Sequence, residues 1–488
     1  MILLEAGGRR DEDRAVLGGK AFSINRMLKL GLRVPPAFVF PTSVCVEYYA
    51  SGKRVPARLA AELREGIVAI EAAVGRRFGD PAAPLLVSVR SGAARSMPGM
   101  MDTVLNLGVN SEIAAALSEQ AGDQAFGADT HRRFVQQFTQ IVGKPPTDDP
   151  WEQLEDAVVA VFESWSSPRA TAYRRHHNLP DDAGTAVTVQ AMIFGNLGAD
   201  SGTGVLFSRN PVTGEAEPYG EWLPGGQGED VVSGRFDPLG LSELGDSMPE
   251  VHDELLSAAR VLEREFGDVQ DIEFTVERGR LWLLQARSAK RSATAAVRHA
   301  VAMRNEGLLT VEEALGRVTA DQLKVLLQPH LSPEVRAGAT LLAKGEVACP
   351  GVGSGVVVTS ADEADDLAAE GKDVVLATPT TNPDDVHGML AARAIITEIG
   401  GATSHAAVVS RELGRPCVVG CGEGVLAPLA GRVVTVDSTA GEIFDGVLPL
   451  TGAGGGDAAL DEFCGWVRSH ADGAGAQLAA ALDGVCQE

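Results

Sequence analysis

The segment that most constrains the fold of this chain is residues 391–420, which contains the string GGATSHAAVVSREL. Its apolar run AIIT predicts a β-strand, Gly400-Gly401 predicts a tight turn, and AAVVSREL predicts a helix that ends at Gly414. This order places His405 near a helix N-terminus, where unpaired N–H groups and the helix dipole favour a bound anion. The segment therefore predicts an α/β domain with a histidine at an anion-binding position.

His405 is the candidate catalytic residue of this segment. An unperturbed histidine pKa of about 6.5 leaves much of the imidazole neutral near pH 7, so one ring nitrogen has a lone pair that can attack phosphorus. Thr403 and Ser404 are hydroxyl residues of the kind that bond free N–H groups at a helix start. A histidine that only caps or packs the helix start is the alternative, and the local pattern leaves both open.

Length and composition limit the class of protein. A chain of 488 residues exceeds one ordinary hydrophobic core and predicts about three packed units. The 45% apolar and 22% charged residues are typical of a soluble globular protein. A net charge of −24 opposes nucleic acid, and no segment approaches the ~20 apolar residues that span a bilayer. We therefore expect a cytoplasmic protein without a nucleic-acid or membrane partner.

The cysteines and the hydrophobic pattern add three expectations. Six dispersed cysteines predict reduced thiols, with Cys417 and Cys421 packed in a core rather than binding zinc. Apolar residues at three- and four-residue steps within 56–79 predict an amphipathic helix. Two β-type segments within 185–207 flank the Gly-rich GNLGADSG and predict a hairpin. A second pair, IEFTVE and LWLLQA, is joined by a short Arg-Gly-Arg turn.

The second half of the chain changes from a helical to an alternating pattern. Thr310 with Glu313 forms a capping box before a helical segment. After Cys349-Pro-Gly, short Val-rich strands alternate with helices, one of them begun by Ser360 and Glu363 as another capping box. The Gly-Val-Gly-Ser-Gly run there precedes a strand, so a dinucleotide fingerprint is not predicted.

A Gly- and Ser-rich string in the first half is a candidate phosphate-binding loop. PLLVSVRSGAARSMPGMMDTVLNLG, residues 84–108, predicts a strand that leads into this loop. Glycines let backbone amides approach a polyphosphate, and Arg90 supplies a planar, permanently charged donor. Lys20 follows two glycines near the amino terminus and would by itself be an ordinary surface lysine.

The predicted pair of strands near residue 280 carries four polar residues on two segments. Alternation puts Asp271 and Glu273 on one face of the first strand, and Gln285 and Arg287 on one face of the second. Carboxylate and amide oxygens suit Mg²⁺ that bridges ATP phosphates, and an arginine can offset developing charge. A solvent-facing set of cross-strand polar pairs is the alternative.

Together these strings resemble the pyruvate, phosphate dikinase family of phosphoenolpyruvate-utilising enzymes. GGATSHAAVV with the following GRPCVVG is similar to the phosphohistidine signature, and the loop string keeps SMPGMMDT. The resemblance covers residues 1–450 in collinear order. It implies a multidomain α/β protein with an ATP-grasp-type nucleotide-binding domain and a swivelling β/β/α phosphohistidine domain.

The resemblance also implies a division of the chain. It places the nucleotide-binding domain, with two subdomains, at 1–290 and a helical connector at 291–345. The phosphohistidine domain then covers 346–450, and a linker with a short helical tail covers 451–488. The connector and the linker are the candidate hinges of the swivelling movement.

Site residues and partners are implied in the same way. His405 would attack the β-phosphorus of Mg·ATP and release AMP, after which inorganic phosphate would leave with the terminal phosphoryl group as pyrophosphate. Thr403 would be a phosphorylation site of a dikinase regulatory protein. Asp271, Glu273 and Gln285 would hold Mg²⁺. The nucleotide and phosphate would be bound by Lys20, Arg90, Ser91, Gly99, Met100, Asp102, Thr103, Glu273, Gln285 and Arg287.

Two features depart from the family pattern. Ala94 stands where members commonly have Arg or Lys after Ser-Gly-Ala, and Arg95 follows it. The expected acceptor domain, a (β/α)₈ barrel of typically ~250 residues, has no room after residue 450. The sequence therefore predicts transfer toward pyruvate on a separate barrel-bearing chain. Alternatives are another small-molecule acceptor or a non-catalytic nucleotide-binding decoy, and a homodimer is one oligomeric alternative.

Overall fold

The computed structural model describes residues 1–5, 12–95, 97, 99–231, 236–327, 331, 333–450, 457–471, 473 and 475–485. The chain divides into two compact units. The first unit comprises Met1–Thr203, Pro224–Gln227 and Ile272–Arg287, and the second comprises Gly204–Leu223, Gly228–Asp271 and Ser288–Glu488. Residues 451–456 of the predicted linker lie outside the described residues.

Strands occur along the whole described chain. They are β1 (Ile2–Leu4), β2 (Ala37–Phe40), β3 (Arg77–Phe78), β4 (Pro84–Leu85), β5 (Val87–Gly92), β6 (Thr103–Leu107), β7 (Ala186–Ala191), β8 (Gly202–Phe207), β9 (Tyr219–Pro224), β10 (Leu239–Gly240), β11 (Gln270–Glu277), β12 (Arg280–Ser288), β13 (Leu341–Lys344), β14 (Glu346–Cys349), β15 (Val352–Val358), β16 (Val374–Thr378), β17 (Ala394–Thr397), β18 (Cys417–Val419), β19 (Val433–Asp437) and β20 (Glu442–Asp445).

Helices alternate with these strands. They are α1 (Arg14–Lys29), α2 (Thr42–Ala50), α3 (Leu59–Val74), α4 (Ser111–Ala121), α5 (Gln124–Val142), α6 (Pro150–Ser164), α7 (Pro168–His176), α8 (Leu241–Ser247), α9 (Pro249–Phe266), α10 (Ala293–Asn305), α11 (Val311–Leu315), α12 (Ala320–Leu326), α13 (Pro333–Gly338), α14 (Ala361–Ala369), α15 (Val386–Ala391), α16 (His405–Leu413), α17 (Ala458–Ser469) and α18 (Ala476–Val485). None of the helices in the described ranges is long and apolar enough to cross a membrane.

The first unit is built around an antiparallel sheet. Its strand order is β1-β2-β7-β5-β6, and Arg90 on β5 pairs with Thr188 on β7. The predicted amphipathic helix is α3, which buries Leu63, Ile67 and Ile70. A Cβ at Gly66 would lie 2.5 Å from the Phe38 ring, so this helix packs closely on β2.

A second sheet has the order β10-β9-β8-β11-β12. The predicted pair IEFTVE and LWLLQA is confirmed, because β11 and β12 are neighbours in it. Their connection has positive φ at Arg278 (51°) and Gly279 (69°), as a two-residue hairpin turn of type I′ requires.

The predicted hairpin within 185–207 is wrong. β7 lies in the first sheet beside β2 and β5, whereas β8 lies in the second sheet beside β9 and β11. The connecting segment buries Phe194, and a Cβ at Gly195 would lie 2.3 Å from a backbone oxygen. The Gly-rich segment is therefore a packed crossing from one sheet to another, and its glycines allow close backbone approach.

The second unit contains an eight-stranded sheet with the order β13-β20-β19-β15-β16-β17-β18-β14. β15, β16, β17 and β18 run parallel, and the connections between them carry α14, α15 and α16 in turn. This is the alternating α/β pattern that the sequence predicts. Cys417 and Cys421 are buried, as expected of core thiols.

Helices form a second core in this unit. α10, α11, α12, α17 and α18 bury one apolar cluster that includes Phe463, Val467 and Leu478. The capping box of Thr310 and Glu313 is confirmed at α11. The box predicted at Ser360 is wrong, because Ser360 precedes α14 but its side chain makes no capping hydrogen bond. The multidomain α/β class is confirmed.

Candidate functional site

The segment that bears His405 folds as strand, turn and helix. β17 ends at Thr397, and Gly400 has φ 117°, a conformation that favours glycine. Ser404 caps α16, since its hydroxyl accepts a hydrogen bond from the backbone N–H of Ala407. His405 is the first residue of the helix, which ends at Gly414 with φ 63°. This confirms the predicted position of His405 at a helix N-terminus.

The two ring nitrogens of His405 have different surroundings. Nδ1 lies 3.1 Å from the hydroxyl oxygen of Thr381. Nε2 is buried and has no hydrogen-bond partner among the described residues. Burial lowers the pKa of His405 from 6.5 to about 4. The imidazole is therefore neutral at physiological pH, with one nitrogen held and the other available.

Thr403 is buried, with 2% of its surface exposed. Its hydroxyl donates a hydrogen bond to the Glu221 carboxylate on β9. Burial raises the pKa of Glu221, and the nearby Glu346 adds to this effect while the bond from Thr403 opposes it. A Cβ at Gly401 would lie 2.7 Å from the Glu221 carboxylate, so only glycine fits beside this contact.

Arg411 braces the same loop from within α16. Its guanidinium donates to the carbonyl oxygens of Ala402 (2.9 Å), Ala348 (3.1 Å) and Lys290 (3.0 Å). Arg411 is 3% exposed, and each of its three side-chain nitrogens has a carbonyl partner in the interior. Arg411 thus fixes the start of α16 and the position of His405.

A second cluster of charged residues lies within the first unit. Arg90 on β5 donates to Glu273 on β11 (Nη2 to Oε2, 3.1 Å), and Arg287 on β12 lies 4.0 Å from the other oxygen of Glu273. Lys20 on α1 interacts with all three of these charges. The structure therefore brings together four of the predicted nucleotide-binding residues.

The charges in this cluster shift each other's pKa. Burial, together with Arg90 and Arg287 and against the opposing effect of Glu273, lowers the pKa of Lys20 from 10.5 to about 7. Burial would raise the pKa of Glu273, but Arg90, Arg287 and Lys20 bring it below its ordinary value. An excess of positive charge around one carboxylate is suited to a polyphosphate.

Gln285, a predicted Mg²⁺ ligand, also belongs to the first unit and carries a side-chain amide oxygen. Its Oε1 is buried and has no hydrogen-bond partner among the described residues, which costs stability unless a ligand supplies a partner. Asp271 belongs to the second unit, and its role stays a prediction. Within the described ranges, no three His, Cys, Asp or Glu side chains cluster as a complete metal site. Mg²⁺ commonly takes one or two protein oxygens and completes its shell with phosphates and water.

Close backbone contacts explain why two glycines precede Lys20. Gly18 has φ 70°, and a Cβ there would lie 1.9 Å from the Gly92 carbonyl oxygen. The backbone N–H of Gly19 donates to Ala93 at 2.8 Å. The two glycines therefore let α1 approach the loop after β5, and Lys20 follows directly.

Arg169 anchors the predicted phosphate loop. Its Nε donates to the Met100 carbonyl oxygen at 3.3 Å, and its guanidinium also bonds the Asp102 carboxylate. The backbone N–H of Ser91 donates to the Asp102 carbonyl oxygen at 3.4 Å. Thr103 pairs with Arg90 in the strand ladder.

The remaining residues of the predicted phosphate loop include both exposed and buried positions. Gly99 is exposed with φ 68°, Met100 is buried, and Arg95 is exposed. Sequence reasoning missed Arg169, Thr381 and Glu221. Their contacts join residues 67, 24 and 182 positions apart, which no local pattern reports.

Two family models match the chain. "Pyruvate phosphate dikinase, AMP/ATP-binding domain" matches residues 14–241 and 248–308, and "PEP-utilising enzyme, mobile domain" matches residues 370–441. The first match alone covers more than half of the chain, and the second contains His405. The chain therefore belongs to the pyruvate, phosphate dikinase family.

Named relatives agree with this assignment. The chain is 42% identical to pyruvate, phosphate dikinase of Rhizobium meliloti (strain 1021), over 90% of this chain and 57% of that protein. It is 42% identical to pyruvate, phosphate dikinase 1, chloroplastic, of Oryza sativa subsp. japonica (94% and 55%) and 39% identical to pyruvate, phosphate dikinase of Clostridium symbiosum (89% and 56%). The chain spans little more than half the length of these relatives.

Proposed function

We propose that this chain is a pyruvate, phosphate dikinase-type phosphotransferase in which Mg·ATP and inorganic phosphate lead to phosphorylation of His405. The observation that carries the proposal is the buried, partner-free Nε2 of a neutral histidine at a helix N-terminus. A helix N-terminus favours the negative charge that a phosphorylated imidazole acquires. AMP and pyrophosphate are the expected products.

The proposed reaction has two steps. Nδ1–H donates to Thr381, which leaves the lone pair on Nε2 of His405. Nε2 attacks the β-phosphorus of ATP, the bond to the α–β bridging oxygen breaks, and AMP leaves. An oxygen of inorganic phosphate then attacks the terminal phosphorus, pyrophosphate leaves, and one phosphoryl group stays on Nε2.

The charged cluster of the first unit is the proposed nucleotide site. Lys20, Arg90 and Arg287 would neutralise phosphate oxygens. Glu273 and Gln285 offer hard oxygens to Mg²⁺, which would draw charge from the phosphates. The loop residues Ser91, Gly99, Met100, Asp102 and Thr103 would cover the polyphosphate.

Labelling tests this proposal. The purified protein is incubated with Mg²⁺ and β-³²P-ATP, with and without inorganic phosphate, beside His405→Ala and His387→Ala. His387 is a matched control, because it is an exposed histidine of the same sheet domain. Acid-labile label on wild type and His387→Ala but not on His405→Ala supports the proposal. Equal labelling of all three proteins contradicts it.

Transfer to pyruvate is the second part of the proposal. The relatives carry the name pyruvate, phosphate dikinase. We propose that phospho-His405 donates its phosphoryl group to pyruvate, and that pyruvate is bound by a barrel domain on a separate chain. Pyruvate is added to the labelled protein alone and then with a barrel-bearing dikinase fragment. Release of label as phosphoenolpyruvate only with the fragment supports a separate acceptor; release without it shows that this chain suffices.

We further propose Thr403 as a regulatory phosphorylation site. A phosphate there would add about two negative charges beside the Glu221 and Glu346 carboxylates and would break the bond from Thr403 to Glu221. Thr403→Glu should therefore slow labelling of His405 strongly, while the nearly isosteric Thr403→Val slows it less. Labelling of Thr403→Glu at the wild-type rate argues against this role.

A further inference from the structure

A pocket in the first unit lies apart from the charged cluster. Its volume is about 500 Å³, within the range of small-molecule sites. Its floor, by which we mean the apolar part of the lining, includes Val34 before β2, Leu85 on β4 and Ile193 after β7. Trp282 on β12 adds an aromatic residue to the lining. An apolar floor with an aromatic residue in the lining is suited to a planar apolar body.

On β7 and β12, strand alternation places the pocket residues and the nucleotide-cluster residues on opposite faces, whereas on β11 Glu277 lines the pocket four positions after Glu273. On β7, Thr188 pairs with Arg90 and so shares its face, whereas Ala191 lies on the opposite face and lines the pocket. On β12, Trp282 lines the pocket. It is an odd number of positions from Gln285 and Arg287, so its side chain lies on the opposite face of the strand. β7 and β12 therefore each contribute residues of one face to the pocket and residues of the other face to the side of the nucleotide cluster.

The rim of the pocket is positively charged. Arg76, Arg278 and Arg280 line it, and Glu277 is the acidic residue among the described lining residues. Arg76 lies 3.7 Å from Glu277, so this pair is largely compensated. The excess charge comes from the turn arginines, in a chain whose net charge is −24.

The turn that carries these arginines is held in place. The backbone N–H of Arg278 donates to the Ser201 hydroxyl at 2.9 Å, and that of Gly279 donates to the Asp200 carbonyl oxygen at 2.8 Å. Arg278 adopts φ 51°, which is unusual for a residue with a long side chain. A fixed turn presents its charges at low entropic cost to a ligand.

We propose that this pocket is a second ligand site, which binds a small planar apolar molecule with one anionic group. The apolar body lies against Trp282 and the floor, and the anion bonds the guanidinium groups of Arg278 and Arg280. The long-range field of an acidic protein repels anions, so affinity depends on these local contacts. This site is additional to the nucleotide site and does not depend on the proposed phosphotransfer.

Calorimetric titration with 2-naphthoate tests the proposal, with neutral 2-naphthalenemethanol as the matched probe without charge. We expect one naphthoate per chain, and binding of the alcohol at least about tenfold weaker, since a charge-assisted hydrogen bond is lost. The double variant Arg278→Gln/Arg280→Gln should weaken naphthoate to the same extent. Ala73→Phe narrows the pocket from an exposed lining position and should abolish binding. Arg54→Gln, an exposed arginine elsewhere in this unit, should bind as wild type does.

Competition separates this pocket from the nucleotide site. Naphthoate should bind Lys20→Ala, and it should bind wild type that is saturated with Mg·ATP. Displacement of naphthoate by Mg·ATP in proportion to concentration would overturn the proposal, because the pocket would then belong to the nucleotide. Equal affinity for acid and alcohol would overturn it as well, and so would full binding by Ala73→Phe.

Discussion

Lys20 is a single residue whose charge depends on its ligand. Its pKa of about 7 lies below that of a free lysine, because burial and the neighbouring Arg90 disfavour the ammonium form. Before nucleotide binds, the Lys20 amine is therefore mostly uncharged near pH 8. A polyphosphate beside it favours the ammonium form, so nucleotide binding should take up close to one proton at pH 8. Calorimetry in buffers of different ionisation enthalpy measures this number.

Lys20→Arg is the matched control for proton uptake. Arginine keeps the positive charge and does not titrate near pH 8, so this variant should bind nucleotide without proton uptake. Uptake of the same number of protons by Lys20→Arg would show that another group is responsible. The alternative source within the cluster is Glu273, whose pKa is lowered and which is ionised at this pH.

His405 predicts a dependence of stability on pH. Its pKa is about 4 in the folded protein and 6.5 when unfolded, so the unfolded chain binds more protons between these values. Stability from the neutral ring is therefore present above pH 6.5 and is lost as pH falls toward 4. The loss between pH 6.5 and 4.5 is on the order of 2 kcal/mol. Urea unfolding of wild type and His405→Gln measures it as a pH-dependent difference.

The buried His299 acts in the same direction and must be separated from His405. Burial, with Arg291 and Arg209, lowers the pKa of His299 to about 3. Because both proteins in the comparison retain His299, its contribution cancels in their difference. An equal fall in stability of wild type and His405→Gln over this pH range would contradict a buried neutral His405.

The sequence predicts the position of a residue well when its contacts lie close by in the chain, and poorly when they are distant in sequence. The position of His405 followed from a strand, two glycines and a helix within thirty consecutive residues. Lys20, Arg90 and Glu273 meet only in the folded chain, and family resemblance rather than local pattern brought them together. Glu221 is polar and lies in a short strand, and nothing near it in sequence indicates that it holds Thr403.

Elements were predictable where local chemistry decides them. The β11–β12 hairpin follows from two β-type runs and a two-residue turn with positive φ. β7 and β8 gave the same local signal, yet they belong to two sheets because tertiary packing outweighs sequence proximity. Ser360 likewise precedes α14, but its side chain makes no capping hydrogen bond, while the helix buries Ala361 and Ala364.

The loop between β5 and β6 is the element whose order Arg169 should control. Arg169 bonds both the Met100 carbonyl oxygen and the Asp102 carboxylate, and the glycine at 99 gives the loop little rigidity of its own. Arg169→Ala should therefore raise hydrogen exchange across residues 93–102 and raise the KM for ATP by about tenfold, as expected when a charged hydrogen bond is lost.

A charge swap distinguishes positioning from general destabilisation. Arg169→Asp and Asp102→Arg should each loosen the loop, and the double variant should restore much of the loop's protection from hydrogen exchange, because the ion pair is rebuilt in reverse. Double-variant behaviour that is the sum of the two single changes would show that the pair does not fix the loop.

At the scale of the whole molecule, the two compact units are not consecutive in sequence. The chain leaves the first unit after Thr203, returns at Pro224–Gln227, and returns again at Ile272–Arg287. The family resemblance follows the order of the chain, so it implies consecutive domains at 1–290 and 346–450. These boundaries stay a prediction.

Two compact units predict two unfolding transitions. Phe134 is fully buried in the first unit and Phe463 in the second. Phe134→Ala and Phe463→Ala should each cost about 3–5 kcal/mol, and each should shift a different transition. Lys20, Arg90, Glu273 and Arg287 all belong to the first unit, so Mg·ATP should stabilise the transition that Phe134→Ala shifts. At a hundredfold excess over Kd the gain is about 2.7 kcal/mol. Calorimetric scans with and without Mg·ATP measure both effects, and a single transition that both variants shift equally would show that the units unfold together.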